Sequence, residues 1–303
     1  MATAAPILHM ISPLPHVSPF DVNMAVDAGY GHLMPYSNVT LDQVRDLTQD
    51  MMFSRAPQAA PRTGLFIGGK DAGLALDMAD AARAALFPPF EISIFPDPAG
   101  SFTTAAAMVA LAEQEAALRG TPGLSGARVQ VYGATGVVGG IAAVLAAKAG
   151  AHVVLVGHRD IASVATKADD FHERFGVALS AVAARTDAEK HALVGEADVI
   201  LAAGRAGVEI LSAAHLASAR ELKVAADVNA VPPAGIAGIG PHDKGVALPH
   251  GVGIGALAIG NLKYRVQHAL LRRMHETDTA LFIGLDEAFA LARQMAAALQ
   301  TAG

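Results

Sequence analysis

The segment from Arg128 to Arg159 constrains the fold of this 303-residue chain more than any other: an apolar strand RVQVY, the glycine run GATGVVG, an alanine-rich helix, and a second apolar strand ending VLVGHR. Gly133, Gly136 and Gly139 let the backbone turn sharply, let it approach a ligand, and let the new helix pack closely on its strand, while the helix N-terminus offers free N–H groups. That order is how a protein grips the pyrophosphate of a dinucleotide, so Gly133, Ala134, Thr135, Gly136, Val137, Val138 and Gly139 are the expected cofactor-binding turn. The run is a variant, because Ala134 stands where the usual fingerprint has its first glycine and Gly133 precedes it. About 20 residues on, where an acid normally takes the ribose, the strand ends in Gly157, His158 and Arg159, with Asp160 following. His158 and Arg159 are therefore cofactor-binding candidates. A guanidinium there forks onto a 2′-phosphate, which leans towards NADP, and Asp160 leaves NAD open.

Composition narrows the class. With 52% hydrophobic residues the chain is long enough for two domains with sizeable cores. Its longest apolar run, 136–147, is followed by Lys148 and falls short of the ~20 residues a membrane span requires. The net charge of −6 is dispersed, with no basic stripe for nucleic acid and no polybasic patch for a membrane. Cysteine is absent, which removes disulfides and thiolate chemistry, and the 12 histidines form no metal-ligand spacing. Residues 1–5 carry no basic region of a secretory signal, so the expected location is the cytoplasm.

Strand and helix patterns alternate almost throughout, which predicts the α/β class with mainly parallel sheets covered on both faces. Residues 7–11, 63–69 and 91–97 read as strands, 72–86 as a helix stopped by Pro88 and Pro89, and 103–118 as a helix that Ser101 is placed to cap. From 127 the chain reads strand, glycine turn, helix 137–149, strand 152–157, helix 161–175, strand 177–183, helix 187–195, then strands in 198–204 and 223–229. Those five strands fit a doubly wound Rossmann sheet. The expected division is a smaller α/β substrate domain over 1–120 and a dinucleotide domain over 121–303, with a final helix 286–300 able to pack back on the first domain and the active site in a cleft between the two.

Ligands of open parallel sheets sit beyond the carboxyl ends of the strands. Ala203 and Gly204, after the fourth strand of the second domain, are small enough for a nicotinamide ring to lie against the backbone, or simply form a tight turn. Eight glycines between Gly235 and Gly260 exceed what core packing explains and point to a functional loop. In the first domain, Asp21 and Asp27 lie in a segment without clear periodicity, open to a capping, surface or active-site role. Ser101, Thr103 and Thr104 offer hydroxyls to cap a helix or bind a polar ligand.

Taken in order, SPFDVNMAVDAGY, LFIGGK, DPAGSFTTAAAMVA, the glycine turn, DVNAVPPAGIAGI and GVGIGALAIGNLKY resemble the NAD(P)-dependent methylenetetrahydromethanopterin dehydrogenases of methylotrophic bacteria over nearly the whole chain, and look most like the branch that uses both NAD and NADP. The resemblance implies hydride transfer from a methylene-bridged pterin to NAD or NADP, without flavin or metal, in formaldehyde oxidation. It implies a homo-oligomer, a trimer or a multiple of one. It assigns Lys263, in NLKY, to hydrogen-bonding the pterin, and Asp21, in SPFD, to orienting it or stabilising the developing cation. Ser101, Thr103, Thr104, Asn229 and Asn261 are the substrate-binding candidates, and Asn229 and Gly255 join Ala203 and Gly204 on the cofactor side. Other readings are a methylenetetrahydrofolate dehydrogenase, a shikimate-type dehydrogenase, which would need a substrate lysine in the first domain where none precedes Lys70, and a protein that binds NADP without turnover.

Overall fold

The structure, a computed structural model, describes residues 4–158 and 160–301. The chain forms two compact units, neither of them one continuous stretch: Met1–Thr103 with Tyr264–Ala288, and Thr104–Lys263 with Phe289–Gly303.

The first unit is built on four parallel strands, β1 (Ile7–Ile11), β2 (His32–Tyr36), β3 (Thr63–Ile67) and β4 (Ser93–Pro96), in the order β2-β1-β3-β4. Helices α1 (Pro19–Asp27), α2 (Val44–Phe53) and α3 (Ala72–Ala85) make the crossovers. Strand β3, TGLFI, is buried along its whole length, as a strand covered on both faces requires. One face packs Ile11, Leu65, Ile67 and Ile94 against Val44, Met51, Met78 and Ala82. On the other, a side chain at Gly64 would strike Leu8, Tyr30 and Met274, so a glycine there lets the late segment of the chain lie close on the sheet. Residues 281–283 then bracket β4, with Ile94 N donating to Leu281 O at 2.8 Å and Ile283 N to Ile94 O at 2.9 Å. Strand β2, in HLMPY, and helices α1 and α2 were not expected from the sequence pattern.

The second unit holds β5 (Arg128–Tyr132), β6 (His152–Gly157), β7 (Leu179–Ala183), β8 (Val199–Ala202), β9 (Val224–Asp227), β10 (Lys244–Ala247) and β11 (Val252–Ile254), in the order β10-β11-β9-β8-β5-β6-β7. All pair in parallel except β10 with β11. The first five strands are those expected. The two additional ones lie in the stretch read as a glycine-rich loop, which is therefore partly sheet and runs on into a helix. Helices α5 (Val137–Lys148), α6 (Ala162–Phe175), α7 (Asp187–Val194) and α8 (Ala213–Ser218) cover the sheet. Three further helices, α4 (Ser101–Ala117), α9 (Ala256–Glu276) and α10 (Leu285–Thr301), each contribute residues to both units.

Helix α4 begins at Ser101, but Ser101 does not cap it. Asp97, fully buried at the end of β4, accepts from Phe102 N at 2.9 Å, Thr103 N at 3.2 Å and Thr103 Oγ1 at 2.7 Å. Ala99 and Gly100 both take positive φ, 52° and 61°, and this tight turn puts the acid, not the serine, beneath the first N–H groups. Asp97→Ala is expected to destabilise the protein by about 2–3 kcal/mol, the loss of a helix cap plus buried donors left unpaired. Urea unfolding of the variant beside wild type measures this.

Candidate active site

Sheet order places the nucleotide crevice. From β5 the chain winds outwards through β6 and β7, then returns to β8 on the other side, so the crossovers part between the carboxyl ends of β5 and β8. The glycine turn follows β5, and Ala203 and Gly204 follow β8. Gly133 has φ +81°, and a Cβ there would overlap the carbonyl oxygen of Ala203, so the two loops meet backbone to backbone. Gly136 N donates to Gly133 O at 3.0 Å, closing the turn, and a side chain at Gly139 would overlap that same carbonyl. Gly140, which the fingerprint reading passed over, is equally constrained: its Cβ would lie 2.6 Å from Phe171 Cζ. Ala134 is buried, Val137 and Val138 are half-buried, and Thr135 and Gly136 face solvent. Gly136 is the N-cap of α5 and brings no side chain to its N–H groups, which leaves the helix start open to an anion.

At the end of β6, His158 is exposed and Arg159 lies outside the described residues. Asp160 is held by its own helix: Oδ1 accepts from Ser163 N at 2.9 Å, capping α6, and this backbone bond keeps the carboxyl below its usual range. The acid that left NAD open thus caps its own helix and keeps its negative charge.

The loops after β8 and β9 are tied together. Asn229 Oδ1 accepts from Gly207 N at 3.2 Å and Val231 N at 3.0 Å, and its Nδ2 donates to Pro233 O at 2.9 Å. The clasp fixes the orientation of this side chain and leaves one Nδ2 hydrogen without a bond to the loops. Beside it stands Asp227, which was not singled out from the sequence. It is buried at the end of β9 and accepts from Asn229 N at 2.9 Å and Ile236 N at 3.1 Å. Burial pushes its carboxyl above the usual carboxylate range against the pull of these backbone bonds. Gly235 packs against that carboxylate, where a Cβ would sit 2.8 Å from Oδ1. Gly255 is buried and its Cβ would overlap Gly240 O, so its role in the structure is close packing of two backbone segments.

In the first unit, Asp21 is not a surface residue. It lies on α1, 3% exposed, and accepts from Gln267 Nε2 on α9 at 3.0 Å. Asp27, at the exposed end of α1, accepts from Tyr264 at 3.2 Å. On α9, Lys263 is 7% exposed and stands one turn before Gln267, on the same face, whereas Asn261 is exposed. An exposed surface lysine, the ordinary reading for a helix, does not describe Lys263. Of the three hydroxyls, Thr103 is committed to Asp97, Thr104 is half-buried, and Ser101 is fully buried with no hydrogen-bond partner. Among the described residues no group of three or more metal-ligating side chains occurs.

Gly133→Ala is expected to abolish NAD(P) binding and to lower the melting temperature by several degrees, since a left-handed backbone and a carbonyl overlap must both be relieved. Cofactor titration and thermal unfolding of the variant read the two effects separately.

Comparison with known proteins identifies the family. A family model described as methylene-tetrahydromethanopterin dehydrogenase, N-terminal, matches residues 19–99. The NAD(P)-dependent methylenetetrahydromethanopterin dehydrogenase of Methylorubrum extorquens is 52% identical over 97% of this chain and 99% of its own length. A second protein of that organism, the bifunctional protein MdtA, is 34% identical over 92% of this chain and 95% of its own. Shikimate 5-dehydrogenase from Listeria monocytogenes, solved with shikimate and NAD, shares the fold at 12% identity, with a TM-score of 0.53 over 95% of this chain and 96% of that one. Half of all positions kept across essentially full length, on a fold with an open glycine turn at its switch point, leaves one assignment: the chain belongs to the NAD(P)-dependent methylenetetrahydromethanopterin dehydrogenase family.

Proposed function

We propose that the protein oxidises methylenetetrahydromethanopterin to methenyltetrahydromethanopterin with NAD or NADP as acceptor, in the oxidation of formaldehyde during methylotrophic growth. The observation that carries this reading is the 52% identity with a relative named for that activity, over 97% of the chain. The C–H bond of the one-carbon bridge breaks, its electron pair leaves with the hydrogen, and the carbon becomes cationic. When bound, the nicotinamide accepts that hydride. No proton moves at the reacting carbon, so the protein needs no nucleophile and no acid–base pair there.

The protein contributes position and charge. We assign the region within 121–303 to the cofactor and the region within 1–120 to the pterin. The Gly133–Gly139 turn takes the pyrophosphate, His158 and Arg159 the adenosine ribose, and the loops clasped by Asn229, with Ala203 and Gly204, the nicotinamide. Gly255 supports the cofactor side through its packing. A fixed geometry of this kind converts a bimolecular hydride transfer into an effectively unimolecular one. Asp21 meets the second requirement. Opposite charges ~4 Å apart attract by roughly 4 kcal/mol at an effective protein dielectric, so a buried carboxylate favours the cationic product side of the reaction. Lys263 hydrogen-bonds the bound pterin, with Ser101, Thr104 and Asn261 as further contacts.

We infer a cytoplasmic homo-oligomer, a trimer or a multiple of one. Support for assembly comes from a surface aromatic cluster: Phe53 and Phe87 are about half exposed and, with Phe90, stand ring to ring at 5.5–6.1 Å. No helix among the described residues is long and apolar enough to cross a membrane.

Steady-state kinetics with methylenetetrahydromethanopterin and methylenetetrahydrofolate, each with NAD and NADP, tests the reading. Turnover is expected with the methanopterin and both nucleotides. Preference for the folate would replace it with the folate reading, and cofactor binding without any turnover would leave a sensing protein. Lys263→Ala is expected to lower kcat/KM for the pterin at least tenfold, the worth of one charged hydrogen bond, with the cofactor Kd nearly unchanged. Unaltered pterin kinetics would remove Lys263 from the site.

A further inference from the structure

The first unit has a switch point of its own. In the order β2-β1-β3-β4, the crossover after β1 leads to one side of the sheet and the crossover after β3 to the other, so a crevice opens between the carboxyl ends of β1 and β3. Two short loops border it, Ser12-Pro13 and Gly68-Gly69-Lys70. They meet closely: Gly68 N donates to Ile11 O at 2.9 Å, and Gly69, at φ +121°, would bring a Cβ within 3.2 Å of the Pro13 ring.

Lys70 is exposed and, among the described residues, has no hydrogen bond or ion pair. The acid next to it makes no ion pair with it: Asp71 caps α3 through Leu74 N at 2.9 Å. The neighbouring strand adds a second group. Asp97 N donates to Ile67 O at 3.0 Å, which brings the turn after β4 against the end of β3. The Asp97 carboxylate is spent on α4, but the Ser101 hydroxyl that follows is fully buried and unpartnered, a state that costs about 1–3 kcal/mol. A free ammonium and an unsatisfied hydroxyl at one sheet end, beside an aspartate already committed, match an oxygen acceptor on a ligand.

We propose that the carboxyl ends of β1, β3 and β4 form a substrate subsite in which Lys70 donates to an oxygen of the pterin substrate, with Ser101 as the supporting hydroxyl. This rests on the reading of the protein as a methylenetetrahydromethanopterin dehydrogenase and names the charged group that recognises that substrate from the first unit. Two sources of such an oxygen exist, the pterin ring carbonyl and the acidic groups of the tail.

The test compares wild type, Lys70→Gln and Lys70→Arg in full kinetics at low and high salt, with the intact substrate and with a methylene pterin lacking the acidic tail. Lys70 is on the surface, so the variants are expected to keep the wild-type melting temperature. Lys70→Gln should raise the pterin KM about tenfold or more, leave the NAD(P) KM within twofold, and remove most of the salt dependence of kcat/KM, while Lys70→Arg restores the greater part. If the effect persists with the tailless pterin, Lys70 meets the ring carbonyl; if it is seen only with the intact substrate, Lys70 meets the tail. Unchanged pterin KM and salt dependence in Lys70→Gln, or an equal rise in the NAD(P) KM, would overturn the subsite. Wild-type turnover serves as the control: its absence refutes the assigned activity, whereas turnover with an indifferent Lys70 refutes the subsite alone.

Discussion

Backbone meets backbone where the turn after β5 touches the loop after β8, and the second unit is organised around that contact. Gly133 has a φ of +81° and no room for a Cβ against the Ala203 carbonyl. A glycine in regular structure costs roughly 0.5–1 kcal/mol, whereas each charged hydrogen bond from an open helix start to a phosphate is worth about 1.5–3 kcal/mol. Gly139 and Gly140 extend the same logic one turn into α5, which lies against the turn on one side and Phe171 on the other. Apolar strands such as VILA in β8 are buried throughout and hold the crevice rigid from below.

A second regularity concerns aspartates at the carboxyl ends of strands. Asp97 after β4, Asp160 after β6 and Asp227 at the end of β9 each turn a carboxylate onto backbone N–H groups of the loop or helix that follows. Their charge shapes loops. Asp21 differs in that it accepts from a side chain on a distant helix, Gln267.

The sequence pattern was readable where burial imposed one. Strands β1 and β6 fall where the apolar runs put them, and helices α3, α5, α6 and α7 end within a residue of their expected limits. The pattern failed where glycine or proline erased it. Strands β10 and β11 are short and lie among eight glycines, and β2 contains Pro35 and is largely exposed. The capping of α4 was misread because Asp97 and Ser101 are both good caps in DPAGS, and only the left-handed backbone at Ala99, unusual for a residue with a Cβ, decides between them. Asp227 was invisible as a separate signal, since an acid ending an apolar strand has the same appearance whether it faces water or three N–H groups. Resemblance to a family, and not spacing, is what singles out Lys263 and Asp21 in the sequence.

The first unit draws its last pieces from far along the chain. Residues 281–283 close the free edge of β4, and Gln267 supplies the partner of Asp21, yet all of Thr104–Lys263 is made in between. On the ribosome, the four-stranded sheet must therefore wait with an open strand edge and a carboxylate lacking its amide while the entire second sheet emerges. Open edges of parallel sheets invite pairing with other chains. The order of synthesis thus leaves the four-stranded sheet dependent on protection in the interval, and the second unit, which takes in residues 289–303, is itself completed only by the last residues made.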